Sequence, residues 1–445
     1  MMALGRMLSR LTRVSFTSGV ELSKHSRATR EVMPNRLLGR ILTAQGLSSL
    51  GTSISTVAIA FMVYRITGSV LQMGGILAVS TFPLVVMSFI GGAFVDRYSG
   101  RSLMVVSDLA RAVLILLMPF AARESTIYMY VIAGLVGVFS AVFNPSQVKV
   151  VGELISRDHL VRANSYLSMS RDGAELIGYL AGAGLVTLVG YTLSFVIDAL
   201  SYCVSALFLA GLPRLLIRTE GGQGLGTLIV GSPAVLVRLW KDARLRTNLL
   251  FAVLPSAVIM MNVPNGYFLA LKAFKGYPGA GVGALEVITA SGLILGGLAM
   301  SRLSLKGDKN RYVFLALLWM AVCLLSVSFT HLFWLQVGLI GLGALGNAGL
   351  FVSSITMFQE LAPRGDKGRL IAMRAGLGQM GAAAGFLLGG ALGSAIGIPR
   401  VFLVIGLLSL VLTGLVYLPY AVVARRAAAM AVEPSALDVS GAEGE

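Results

Sequence analysis

Eight ionisable residues stand inside long apolar runs of this sequence: Asp108 and Arg111, then Arg171, Asp172 and Glu175, then Asp198, Glu286 and Arg374. A charge in such surroundings costs about 3 kcal/mol by insertion scales, so each is a functional candidate by default. The chemistry such groups support is proton exchange and binding of polar cargo. A carboxyl group kept from water resists ionisation, and a guanidinium beside it favours ionisation. A site whose arginine partner changes between two states therefore takes up and releases a proton in turn. Arg171 and Glu175 are four residues apart, on one face of a helix. The proton or substrate candidates are Arg171, Asp172, Glu175, Glu286 and Arg374. The alternatives are a purely structural Arg171–Glu175 pair, and a gate role for Arg374, five residues beyond Arg369. Asp198 reads as a packing or capping residue. His25, His159 and His331 all lie outside the apolar runs, which disfavours a histidine relay.

Uncharged polar residues in the same runs are candidates to line a cavity: Gln45, Asn144, Gln147, Asn262, Asn265, Asn347 and Gln379. Ordinary hydrogen bonding between helices is the other reading for each. No catalytic centre and no metal site are expected. The two cysteines, Cys203 and Cys323, form no CxxC pair, and the sequence contains no HExxH, nucleophile elbow or G-x-x-x-x-G-K-[ST]. Gly341-Leu-Gly-Ala-Leu-Gly346 matches the G-x-G-x-x-G fingerprint, but it sits in a run too long and apolar for a strand–turn–helix unit, and reads as helix packing.

The elements that must position these residues follow from composition. The 445 residues are 56% hydrophobic and 13% charged, with mean hydropathy +0.83. A soluble domain is about 25% charged. This disfavours a soluble enzyme, a nucleic-acid binder and a disordered chain. Twelve runs are long enough to cross a bilayer as helices: roughly 38–65, 70–95, 102–122, 125–147, 163–189, 191–213, 247–271, 280–301, 311–330, 332–357, 369–396 and 398–424. With the N-terminus in the cytoplasm, 28 of the 36 Lys and Arg fall in cytoplasmic segments and five in outer loops. The positive-inside rule thus predicts both termini in the cytoplasm. The expected organisation is a cytoplasmic tail over 1–36, a six-helix bundle over 37–213, a cytoplasmic linker over 214–246, a second six-helix bundle over 247–425 and a cytoplasmic tail over 426–445. The basic first segment reads as a tail, a surface helix or a targeting segment.

The halves repeat. With Glu153-Leu154 over Glu360-Leu361, Arg157 falls on Arg364, Gly178 on Gly385, Gly182 on Gly389, Gly190 on Gly397 and Phe195 on Phe402. With an offset smaller by two, Gly91-Gly92 falls on Gly296-Gly297 and Arg97 on Arg302. Two like-oriented six-helix repeats form a secondary-transporter architecture with its path at the seam.

The loop after span 2 reads Gly92-Ala-Phe-Val-Asp96-Arg97-Tyr-Ser-Gly-Arg101. It resembles the G-x-x-x-D-R loop of the major facilitator superfamily, across nearly all of 36–425. Gly92 would permit close helix approach, Asp96 would meet a helix N-terminus or a basic partner, and Arg97 or Arg101 would pair with a neighbouring acid. Asp108 and Arg111 are near enough in sequence to join this cytoplasmic gate. The second copy, Gly297-Leu-Ala-Met-Ser301-Arg302, lacks the acid. Phe143-Asn-Pro-Ser, Arg162-Ala-Asn164-Ser, Ile197-Asp-Ala-Leu-Ser201-Tyr and Lys241-Asp-Ala-Arg-Leu-Arg246 resemble the branch of bacterial exporters that includes enterobactin and macrolide efflux proteins. The Gly-Pro pair often found in span 5 of exporters reads Gly178-Tyr179 here.

The resemblance implies an all-α integral membrane protein of twelve transmembrane helices in two parallel six-helix repeats. It further implies that spans 5 and 8 face each other across the central cavity. The implied activity is export of a small amphipathic organic molecule, a drug or a siderophore-like metabolite, by proton antiport with rocker-switch alternating access. The alternatives are an importer or lipid mover on the same fold, and a non-transporting sensor or scaffold. The proton gradient would be the energy source, with no cofactor. Expected partners are the cargo and the lipid bilayer and no nucleic acid, for a monomer with or without other envelope efflux components. The expected location is a bacterial inner membrane.

Overall fold

The computed structural model describes residues 35–96, 98–155, 160–213, 240–273, 278–302, 308–361 and 367–432. The N-terminal tail, most of the 214–246 linker and the end of the C-terminal tail lie outside them. The first half supplies α1 (Asn35–Thr67), α2 (Val70–Asp96), α3 (Gly100–Glu124), α4 (Thr126–Leu154), α5 (Leu160–Val189) and α6 (Tyr191–Ala210). The second half supplies α7 (Ala243–Met260), α8 (Asn262–Ala273), α9 (Pro278–Arg302), α10 (Lys309–Val327), α11 (Phe333–Leu361), α12 (Lys367–Ile396) and α13 (Ile398–Val432). Twelve stretches are long and apolar enough to cross a membrane, and α7 with α8 forms one of them, Ala243–Ala273. Helices suit that setting because each satisfies its own backbone polar groups.

Span 7 breaks at Met261 for local reasons. Pro264 supplies no N–H to the ladder, and the Asn262 side-chain amide donates to the Ile259 carbonyl at 2.5 Å. Asp242 caps the start of α7 by accepting from the Arg244 N–H at 2.8 Å. Asp308 does the same for α10 through the Asn310 N–H at 3.0 Å. Gly190 and Gly397 form the turns into α6 and α13, with φ of 83° and 82°. That region favours glycine, and the two positions coincide in the repeat.

Packing repeats as the sequence does. In the first half α1 lies on α5 and α6, α2 on α4, and α3 on α4 and α6. In the second, α7 lies on α12 and α13, α9 on α11, and α10 on α11 and α13. Gly178 and Gly182 press against Leu50 and Ile54 of α1, while Gly385 and Gly389 press against Ala257 of α7 and Met261. Gly292 and Gly296 of α9 pack on α11 backbone at Gly341 and Leu345, and Gly346 packs on α10. The fingerprint-like glycines of α11 are therefore packing surfaces.

Two seams join the bundles, α2 with α12 and α5 with α9, and the repeat exchanges one for the other. At the first, Gly390 sits against Leu71 and Gly74, and the Leu71 N–H donates to Ser394 Oγ at 3.1 Å. At the second, Gly283 sits against Tyr179 and Ala183. Tyr64 and Phe268 meet edge to face with ring centroids 5.3 Å apart. All these contacts lie toward the end where α1 stops and α2 begins. There one apolar cluster includes residues of both bundles, among them Val63, Val70, Phe268 and Leu271. Toward the α2–α3 loop the core divides. One cluster, including Ile41, Met104, Val151 and Leu209, belongs to the first bundle. Another, of Leu245, Phe358, Leu370 and Met373, belongs to the second. The molecule is thus joined at one end, and its apolar core is parted at the other.

Candidate functional site: a polar crevice between two bundles

The acidic candidates Asp172, Glu175 and Glu286 lie on α5 and α9, the two helices of one seam. Arg171, Asp172 and Glu175 lie midway along α5 with side chains 51%, 48% and 37% exposed. Ions at that depth facing hydrocarbon would be costly, so they line a hydrated space. Arg171 Nε stands 3.0 Å from Asp172 and 3.9 Å from Glu175. The closer partner is thus the adjacent aspartate, not the residue one turn on.

Glu286 of α9 accepts a hydrogen bond from the Tyr267 hydroxyl of α8. Tyr179 of α5 lies within electrostatic range of both Glu175 and Glu286 and is hydrogen bonded to Ser53. The α5–α9 seam therefore gathers two carboxylates and two tyrosines from three helices. Tyr267 also lines an apolar cavity of ≈ 130 Å³ walled by Met73, Ile76, Ile115 and Met118. An apolar cavity of about 150 Å³ is enough for a benzene ring. Tyr179 and Tyr267 were absent from the sequence-based candidates. A tyrosine in an apolar run also fits an interfacial belt, so residue type alone does not single it out.

Among the described residues the pair Asp108–Arg111 makes its contacts inside the first bundle. Asp108 is fully buried and ion-paired with Arg111, and it accepts from Ser205 Oγ of α6 at 2.6 Å. The Arg111 guanidinium lies between the rings of Phe143 and Tyr202, 4.6 and 4.4 Å from their centroids. Asp198 is buried nearby, accepting from Ser55 of α1, and Tyr202 meets Thr52 at 2.8 Å. These groups tie α1, α3, α4 and α6 together inside one bundle. The sequence puts Asp108 near the loop, but the rotation of α3 turns it inward.

Of the loop motif itself, Arg97 and the surroundings of Gly92 and the Asp96 side chain lie outside the described residues. Arg101 donates to the Ala210 carbonyl at the end of α6, and Arg40 donates to that of Gly211. Arg101 therefore caps a helix terminus, and among the described residues it has no acidic partner. Lys149, not among the sequence candidates, donates to the carbonyls of Val95 and Tyr98 at 3.0 Å each and braces the loop from α4.

In the second bundle Arg374 is 9% exposed. Its Nε donates to Ser354 Oγ at 2.5 Å, Ser354 donates to Asn248, and Asn248 donates to Asn310 at 3.1 Å. The remaining polar candidates divide. Asn144 and Gln379 are exposed, while Gln45 and Asn347 are partly buried. Gln45 accepts from Gln147 at 2.5 Å. Asn265 does not line the crevice: it is fully buried and donates to the carbonyls of Met261 and Gly389 at 2.8 and 2.9 Å, bracing α8 on α12. Among the described residues no group of three or more His, Cys, Asp or Glu is placed to hold a metal ion.

Comparison with known proteins agrees with this architecture. The chain is 25% identical over 391 residues to the multidrug efflux pump Tap of Mycolicibacterium fortuitum, spanning 84% of this chain and 93% of Tap. It is 23% identical over 258 residues to the uncharacterized MFS-type transporter YfiS of Bacillus subtilis (strain 168), spanning 57% of this chain and only 61% of that protein. A shorter stretch of 179 residues is 27% identical to the lysophospholipid transporter LplT of Yersinia enterocolitica, spanning 38% of this chain and 42% of LplT. Among solved structures, the nucleoside transporter NupG superposes with TM-score 0.67 at 15% identity, over 86% of this chain and 98% of NupG. A bacterial homologue of the iron transporter ferroportin in an inward-facing state superposes with TM-score 0.67 at 16% identity, over 86% and 98%. At such identities these two speak to fold alone. Residues 41–306 and 276–437 match the family model of the Major Facilitator Superfamily, so both bundles are covered and the chain belongs to that family.

Proposed function

We propose that this transporter exports a small amphipathic organic molecule, a drug or a secreted metabolite of siderophore type, from the cytoplasm of a bacterium by proton antiport. The observation that carries this reading is the α5–α9 seam, where Glu286 is held by Tyr267, Glu175 stands on the facing helix, and Tyr267 reaches on into an apolar cavity. An amphipathic cargo matches that mixture of surfaces. With the basic loops in the cytoplasm, the parted end faces inward, the state that loads cargo for export. Efflux then requires the cargo to bind in this state and a proton to favour the return from the other. The efflux pump Tap among the relatives supports export, and LplT supports a lysolipid as a second class of cargo.

The test is reconstitution in proteoliposomes with an imposed pH gradient and a panel of lipophilic amines, macrolides and lysolipids. The expected result is gradient-driven efflux of at least one class, lost in Glu286→Gln or Glu175→Gln while cargo binding persists. Undiminished pH-driven efflux in both variants would remove the antiport assignment. Accumulation in the opposite direction would favour the importer.

A further inference from the structure

Arg374 is a buried cation in a membrane span, and the described acids of its bundle that lie outside the helices, Asp242 and Asp308, cap α7 and α10. α7, α8, α10, α12 and α13 contain no acid at all, α9 contains Glu286, and α11 contains Glu360. Glu286 is engaged by Tyr267, and Glu360 lies 2.7 Å from Lys309. Among the described residues the guanidinium has one hydrogen-bond partner, Ser354, and no carboxylate. That contact fixes Nε, the guanidinium carbon lies 6.0 Å from the centroid of the Phe351 ring, and among the described residues the two terminal nitrogens have no hydrogen-bond partner. A planar fork of this kind matches the oxygens of a carboxylate or phosphate.

The repeat shows that the architecture does not need this charge. Its offset places Leu167 where Arg374 stands and Ile41 where Asn248 stands. Both Leu167 and Ile41 are buried in the apolar cluster of the first bundle. One half closes this spot with hydrocarbon, and the other opens it with a guanidinium oriented by Ser354 and Asn248. Packing alone therefore gives no reason for the arginine.

We propose that Arg374 is an anion receptor in the transport path and that the cargo carries an oxyanion, a carboxylate or a phosphate, on its polar end. This deepens the export reading and rests on it for the direction of movement, but binding can be measured apart from transport. The full chain in phosphatidylcholine nanodiscs is titrated with oleate, lysophosphatidate and uncharged monoolein, and with inorganic phosphate as a competitor. Wild type is expected to bind at least one anionic amphiphile about tenfold or more tightly than monoolein. Arg374→Gln should abolish that preference without changing monoolein binding, Arg374→Lys should keep part of it, and Ser354→Ala should weaken it severalfold. Which amphiphile binds distinguishes carboxylate from phosphate, and displacement by inorganic phosphate alone identifies a site for the free ion. Equal binding of anionic and uncharged amphiphiles by wild type, or a preference kept in Arg374→Gln, would overturn the proposal. Should Arg374→Gln fail to fold, an unchanged preference in both Arg374→Lys and Ser354→Ala would overturn it as well. Anion preference without pH-driven efflux would leave the receptor standing and remove the antiport reading.

Discussion

Asp108 and Arg111 illustrate how a charge is kept inside a membrane bundle. Each is desolvated, and each recovers part of that cost from the other, from Ser205 and from two aromatic faces. Removing one partner strands its mate, so Asp108→Asn or Arg111→Met should destabilise the protein by about 3–5 kcal/mol. The check is the thermal midpoint of the detergent-solubilised protein, which should fall in both variants. The pattern of burial aligns Asp108 with Leu317 and Arg111 with Met320 in the second half, both buried in the joined cluster. The double variant Asp108→Leu with Arg111→Met copies that solution and should recover most of the loss. A double variant as unstable as the sum of the singles would show that the pair holds more than itself together.

Close approach sets the behaviour of the elements. A side chain at Gly390 would meet the backbone of Leu71 and the Cα of Gly74, and one at Gly283 would meet Ala183 and the Tyr179 carbonyl. Both glycines lie at seams between bundles, so bulk there opposes the joined state without harming either bundle. Gly390→Leu should therefore fold, lose transport by about tenfold or more, and expose the seam. In a cysteine-free background, a cysteine at Val70 should react with an impermeant maleimide in Gly390→Leu and stay protected in the parent. Equal protection in both would mean that α2 and α12 part without those glycines. Gly178 and Gly385 pack within their own bundles, so leucine at either should lower the thermal midpoint instead.

At the level of the molecule, the proposed rocker-switch transport would require the two bundles to separate at the end where they touch. Tyr64 and Phe268 face each other across that end at 5.3 Å between ring centroids. Cysteines in both places, joined by a short bifunctional maleimide, should stop transport, and the same linker on either single cysteine should not. Transport that survives the link would rule out rocking of one bundle against the other. An even number of spans with basic loops on one side predicts that reporter fusions at the two ends give the same cytoplasmic signal.

Much of this was legible in the residues. Long apolar runs, turn glycines such as Gly190 and Gly397, and basic connecting segments are local signals, and a bilayer reads them one segment at a time. They settle the span count and the twofold repeat, and they supply the expectation for orientation. The rotation of each helix is a different matter. In a soluble helix an apolar stripe marks the inward face. Most helices here are apolar all round, because lipid asks for hydrocarbon outside as well. Nothing local then says whether Asp108 turns toward the loop or toward Ser205, whether Asn265 faces the crevice or the carbonyl of Gly389, or that Tyr267 meets Glu286. Those choices, and the hold of Ser354 on Arg374, depend on side chains far apart in the chain and were decided only when the helices packed.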